Sequence, residues 1–240
     1  VRRETQNILL VLLGGALLKL GINGDYLRYV KPAQQPWVLA GGAVMLALGV
    51  IAIVRDVATA RTRISSASNE SAGDHHHPAR SAWLLVLPVL AVYLIAPPAL
   101  GSDSVTRTES RAPAPQLSAA FPPLPPGNVV PLSMTEFVTR AGWDGTGSLN
   151  GRTVSLTGFV THNGNSVLLA RMVITCCAAD AFPVTVRLDG AEPAGYPDDT
   201  WLRVTGQVVP GTATRANRYT PDLTVTAFQR VPAPQDPYEE

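Results

Sequence analysis

From Trp37 to Val54 the chain runs eighteen residues without one polar side chain. As an α-helix rising about 1.5 Å per residue, this run nearly crosses a hydrocarbon core of roughly 30 Å. A membrane span over 37–54 is therefore expected. Residues 81–100 are comparably apolar, with Pro88 inside, which a lipid-buried helix tolerates. The earliest apolar run, Ile8 to Leu18, is shorter and is followed by Lys19. A lysine near a helix end extends its ammonium to the interface, so a first span over about residues 5–22 is expected. A cleavable signal peptide is the competing reading, because Arg2 and Arg3 precede the apolar core. No small-x-small cleavage site follows Leu20, and a second full span comes soon after. A retained helix is the expectation.

Basic residues set the orientation. Arg2, Arg3, Arg55, Arg61, Arg63 and Arg80 lie at the N-terminus or between the second and third spans, against Arg28 and Lys31 in the first loop. That asymmetry places the N-terminus and loop 55–80 in the cytoplasm, and three spans then place the chain after Leu100 outside. Gly14-Gly15 and Gly41-Gly42 recur in the first two spans, with Ala43 and Ala47 at small-xxx-small spacing, so these helices can pack as a hairpin or against a partner. No acidic residue falls within the three expected spans. This argues against a self-sufficient proton-coupled transporter.

Loop 55–80 contains His75-His76-His77, three imidazoles able to hold zinc or copper weakly. A solvated loop cannot preorganise them, and no cysteine is near. Residues 101–127 carry Pro113, Pro115 and the run Pro122-Pro123-Leu124-Pro125-Pro126. Such density predicts an extended, semi-rigid spacer.

The remainder, 128–240, reads as an all-β domain with one short helix. Ser133 and Glu136 form a capping box that starts a helix ending near Ala141. Five strand candidates follow, at 153–161, 166–175, 183–188, 200–209 and 223–231. In the first, Val154, Leu156 and Val160 share one face and Phe159 lies on the other. His162-Asn163-Gly164-Asn165 supplies a hairpin turn. Five short strands and one helix suggest a small OB-like barrel, with an open sandwich as the alternative. Gly158 and Gly206 fall where such a barrel needs bends or bulges.

OB-like barrels often bind nucleic acid, and Phe159, Trp201 and Phe228 are candidates for a stacking face. From Asn128 onward, however, eight arginines and no lysine face eleven acidic residues, a net of −3. A polyanion gains little from that surface. Nucleic acid is excluded as a partner. Hydrolytic chemistry is unsupported as well: His162 is the domain's one histidine, and no Ser/His/Asp or paired-acid arrangement is recognisable. The chain is expected not to be an enzyme.

The only cysteines, Cys176 and Cys177, are adjacent, and Asp180 follows closely. Continued strand alternation would place Cys176 with Met172 and Ile174 while pointing Cys177 the other way. Both sulfurs reach one ligand only if a turn or bulge intervenes. Three readings stay open: Cys176 packed in the core, a strained vicinal disulfide, or shared ligation of a soft metal or metalloid with Asp180 or His162. Thiol redox chemistry needs a depressed cysteine pKa, and only Arg171 is close in sequence as an activating charge.

Several segments together resemble a known bacterial family. These are Gly21 to Val30, Gly151 to Val160, Leu169 to Ala181 with its double cysteine, Asp199 to Trp201, and the ending Pro232 to Glu239. They are similar to the YcgQ-type permease subunits, membrane proteins whose biochemical role is unestablished. The resemblance implies a multi-pass cell-membrane protein, embedded in the lipid bilayer, that partners a separate multi-spanning permease. It implies no ligand set. The residues and the resemblance together suggest an accessory permease subunit. Its external β domain would capture zinc, copper(I) or a metalloid through Cys176 and Cys177, with Asp180 as third ligand and His162 as a further candidate. A purely structural interaction module is the remaining alternative.

Overall fold

The computed structural model describes residues 3–66, 86–95, 98–110, 121–190 and 195–239. The chain divides into two compact units, residues 1–26 with 32–98 and residues 27–31 with 99–240.

The first unit contains α1 (Arg3–Asn23), α2 (Gln35–Ser66) and α3 (Val86–Leu94). The first two are long and apolar enough to cross a membrane, over Thr5–Asn23 and Pro32–Thr59. Their packing uses one glycine of each pair. A Cβ at Gly14 would lie 2.6 Å from the Leu46 nitrogen and 2.8 Å from the Gly42 carbonyl oxygen, whereas Gly15 and Gly41 meet nothing within 4 Å. The helices thus pack backbone to backbone along the Gly14/Gly42 line.

Two expectations are corrected here. The second helix does not stop at Val54 but continues twelve residues into the supposed loop, to Ser66. Its continuation is rich in Ala and Arg, which are good helix formers. The apolar stretch consequently takes in Asp56, whose carboxylate accepts a hydrogen bond from Asn7 Nδ2 at 2.9 Å. Within the third expected span, α3 ends at Leu94, and residues 98–100 have no regular structure. Pro97 and Pro98 lack backbone N–H donors and disfavour helix in the residue before them. Residues 81–85 and the His75-His76-His77 run lie outside the described residues.

The second unit is built on a seven-stranded sheet. Its strands are β1 (Val129–Pro131), β2 (Thr153–Asn163), β3 (Ser166–Val173), β4 (Phe182–Asp189), β5 (Trp201–Val208), β6 (Asp222–Arg230) and β7 (Tyr238–Glu239). The five expected strands are β2 to β6. The two extra ones are short and pair in parallel, β1 beside β2 and β7 beside β3. Two or three residues carry too little alternation to be read from sequence.

β2 pairs with β5 over Thr153–Phe159 and with β3 over Phe159–Asn163, both antiparallel. β3 pairs with β4, β4 runs parallel to β6, and β6 pairs with β5. The changeover in β2 occurs beside Gly158, where a Cβ would sit 2.6 Å from the Ala170 carbonyl oxygen. Only a residue without a Cβ lets the two backbones approach so closely. The other expected irregularity is a register shift between Thr205 and Gly206, where β5 faces β6.

Val154, Leu156 and Val160 face the main core, with Leu169, Val184, Val186, Leu202, Val204 and Leu223. Helix α5 (Met134–Trp143) covers it with Met134, Phe137 and Val138. Ser133 Oγ accepts the Glu136 amide at 3.0 Å, the expected half of the capping box, while Glu136 turns its carboxylate to Arg140 at 2.8 Å. A second apolar cluster lies on the opposite face of the sheet: Phe159, Ala170, Met172, Ile174 and Tyr238, flanked by Leu100, Val105 and Trp201. It is the reason β3 is buried along nearly its whole length.

The segment expected to be an extended spacer is held at both described ends. Residues 102–107 form a short helix, α4 (Ser102–Arg107), and Ser102 donates through its amide and hydroxyl to Asp199 at 2.7 and 2.8 Å. Near the other end, Arg140 Nη2 donates to the Pro122 carbonyl and Arg152 Nη2 to the Pro125 carbonyl, each at 2.8 Å. Leu124 packs on the main core.

Candidate functional site: the vicinal thiol turn

β3 ends at Val173, and the alternation of faces carries on through Ile174 before it breaks. Ile174 is buried at 2% exposure and its amide donates to the Glu239 carbonyl at 3.1 Å. The chain then bends at Thr175 and Cys176, passes through an extended Cys177 (φ −155°, ψ 169°), and enters a single 3₁₀ turn over Ala178–Asp180. Asp180 makes this turn. One carboxylate oxygen accepts the Thr175 amide at 2.9 Å and the other accepts the Cys176 amide at 2.8 Å. Folding the chain back over five residues brings together side chains that a strand would separate.

The two Sγ atoms lie 3.6 Å apart. Together with a carboxylate oxygen of Asp180, the possible donor atoms of Cys176, Cys177 and Asp180 all fall within 4.8 Å of one another. Two sulfurs held ~2.3 Å from one tetrahedral ion stand ~3.8 Å apart, so this spacing suits a shared chelate. It is well beyond the ~2.05 Å of a disulfide bond, and both cysteines are free. Cys176 is exposed and Cys177 half-buried. The possibility that Cys176 packs in the core is therefore overturned; Ile174 occupies that place.

Electrostatics keep the Cys176 thiol protonated. The hydrogen bond from Cys176 to Asp180, then that to Cys177, pushes the Cys176 thiol up to about 11. Asp180 moves the other way: desolvation, the largest single effect, would raise its carboxyl but is outweighed by the combined hydrogen bonds from Thr175, Cys176 and Cys177. Arg171 is engaged elsewhere and does not lower the Cys176 thiol. Its buried guanidinium donates to the Tyr238 carbonyl at 3.0 Å and lies 5.0 Å from the Trp201 ring. A protonated thiol is a poor nucleophile, whereas a soft cation binds a thiol by displacing its proton.

His162 does not join the set. It faces Val167 across the β2–β3 hairpin, and the six steps from Val167 to Val173 span ~20 Å at ~3.3 Å each. There its Nδ1 lies 2.7 Å from Asp198 Oδ1. The aromatic stacking face is absent too. Phe159 is 1% exposed and packs edge-on to Trp201 at 5.5 Å, while Phe228 packs edge-on to Tyr196 at 5.7 Å.

Sequence reasoning missed what supports the turn from outside. Val30 forms an isolated antiparallel bridge with Cys177, and the Ala178 amide donates to the Tyr29 carbonyl at 2.7 Å. The Tyr238 hydroxyl donates to the Arg28 carbonyl at 2.9 Å. The stretch 21–30 and the C-terminal ending carry the family resemblance, but no spacing rule connects residues so far apart in the chain, 210 positions for Arg28 and Tyr238.

No curated protein and no solved structure matches the chain. Residues 144–239, which carry the thiol turn and six of the seven strands, match the family described as the DUF1980 C-terminal domain, a family of uncharacterised proteins.

Proposed function

We propose that this chain is a non-catalytic, membrane-anchored accessory subunit of a permease complex, with an external β domain that captures a soft metal ion or metalloid. The convergence of the Cys176 and Cys177 sulfurs with the Asp180 carboxylate carries this reading. Two sulfurs and one oxygen favour zinc, copper(I) or a trivalent metalloid over hard cations. A structural zinc site has four protein donors. Among the described residues only these three converge, so a fourth position is open to water or to a donor from the partner. An open, exposed site suits capture and release.

Topology supports the same reading. Residues 27–31, between the first two helices, belong to the hydrogen-bonded unit of the β domain. Two spans would put that loop and the domain on opposite sides of a bilayer; three put them on the same side. That parity, with the arginine asymmetry, favours a third span and an external domain. The circuit of pairings β2-β5-β6-β4-β3-β2 supports an OB-like barrel. The permease partner rests on the resemblance to YcgQ-type subunits. A redox role is disfavoured because Cys176 is raised, not lowered.

The test uses the full chain in detergent or nanodiscs, titrated with zinc, copper(I) and a trivalent arsenical. One equivalent should bind, and Cys176→Ser/Cys177→Ser should lose at least about 100-fold in affinity. Equal binding by both proteins would remove the ligand role.

A further inference from the structure

Cys177 belongs to two assemblies at once. Its sulfur is one of the three converging donors, and its backbone pairs with Val30 in the segment Leu27–Lys31, through which the chain passes from α1 to α2. The next residue, Ala178, donates to the Tyr29 carbonyl at 2.7 Å. Tyr238 completes the clamp. Its hydroxyl donates to the Arg28 carbonyl at 2.9 Å and accepts the Leu100 amide at 3.1 Å, while its ring is 4% exposed in the cluster containing Ile174.

We infer that a soft metal ion at the thiol turn and the docked segment 27–31 stabilise each other, with Tyr238 as the positioning residue that couples them. The inference rests on the metal reading proposed above. A metal held by both sulfurs fixes the Cys177 rotamer and the backbone of residues 176–178. That same backbone is the surface on which Tyr29 and Val30 make their hydrogen bonds. When the segment undocks, the turn loses those external bonds, and the freedom gained by Cys177 must be removed again when metal binds. Linkage makes the effect reciprocal: metal tightens docking by the factor by which docking tightens metal. The occupied site is thereby reported at the connection between α1 and α2, where a membrane-embedded partner can read it.

The experiment uses the full chain in lipid nanodiscs with zinc as the probe. Hydrogen exchange is followed at residues 27–31 and at Ala178, and zinc affinity is measured by competition with a chromophoric chelator. Saturating zinc should slow exchange at both places about threefold or more. Tyr238→Phe keeps every donor atom of the site and the buried ring. It should nevertheless weaken zinc binding roughly two- to tenfold, the range of one net hydrogen bond, and speed exchange at 27–31 in the metal-free chain. Zinc binding with unchanged exchange at 27–31 overturns the inference and leaves the metal reading standing. Should Tyr238→Phe fail to fold, the wild-type exchange comparison still decides. If wild-type zinc binding is no better than that of Cys176→Ser/Cys177→Ser, the metal reading itself falls, and this inference falls with it.

Discussion

Asp180 has two opposed effects on the thiols beside it. Its carboxylate builds the turn through the Thr175 and Cys176 amides and, by hydrogen bonding, holds the Cys176 thiol near 11. Asp180→Asn should lower the alkylation midpoint of Cys176 from about 11 toward ordinary thiol values, yet weaken zinc binding through loss of an anionic donor. A pH profile of iodoacetamide reactivity and a chelator competition check the two signs; an unmoved midpoint would clear Asp180 as the cause. Asp144 is a purely structural counterpart. Desolvation, the largest single effect, raises its carboxyl, but the combined hydrogen bonds from Ser148 and Thr146 bring it down to about 2. A depressed carboxyl stabilises the fold above its unfolded value near 3.8, and that contribution is lost as pH falls toward 2. Asp144→Ala should cost about 1 kcal/mol at neutral pH and flatten this acid limb, as read by denaturant titrations at several pH values. The cysteine pair and Asp180 were legible because scarcity and adjacency are visible in a sequence. His162 was not resolvable as ligand or bystander, because the length of β3 separates it from a turn only fourteen residues away.

Helix α5 starts where two distant signals meet. Ser133 caps it locally, and the Glu239 carboxylate accepts the Met134 and Thr135 amides at 2.9 and 2.8 Å. A carboxylate at a helix N-terminus satisfies free amides and opposes the positive end of the helix dipole. Glu239→Ala should therefore destabilise the β domain by about 1 kcal/mol, measured by urea denaturation. The local cap was readable from Ser133 and Glu136; the distant one depends on β7 docking beside β3. Strand β2 makes a sharper demand. Gly158→Ala forces a Cβ against the Ala170 carbonyl where β2 leaves β5 for β3. A cost of about 1–3 kcal/mol is expected, with urea denaturation again the measurement.

At the scale of the whole molecule, Cys176 provides a native reporter of sidedness, being exposed and one of only two cysteines. In right-side-out vesicles at pH 9, a membrane-impermeant maleimide should label it, and inverted vesicles should protect it until detergent is added. The reverse pattern would overturn the external placement of the β domain. The sequence by itself determined the division into an apolar helical half and a β half, the places of β2 to β6, the start of α5 and the presence of a vicinal thiol pair. These depend on interactions between near neighbours: helix-length apolar runs, period-two alternation, a capping box, adjacent thiols. Only the tertiary structure decided that α2 runs on to Ser66, that β1 and β7 complete the sheet, and that Ile174, not Cys176, fills the core. It also decided that Val30, Tyr29 and Tyr238 brace the thiol turn. The physical reason is common to all of these. Pairings between residues far apart in the chain are selected by backbone hydrogen bonding and burial once the core has formed, and no local pattern encodes them.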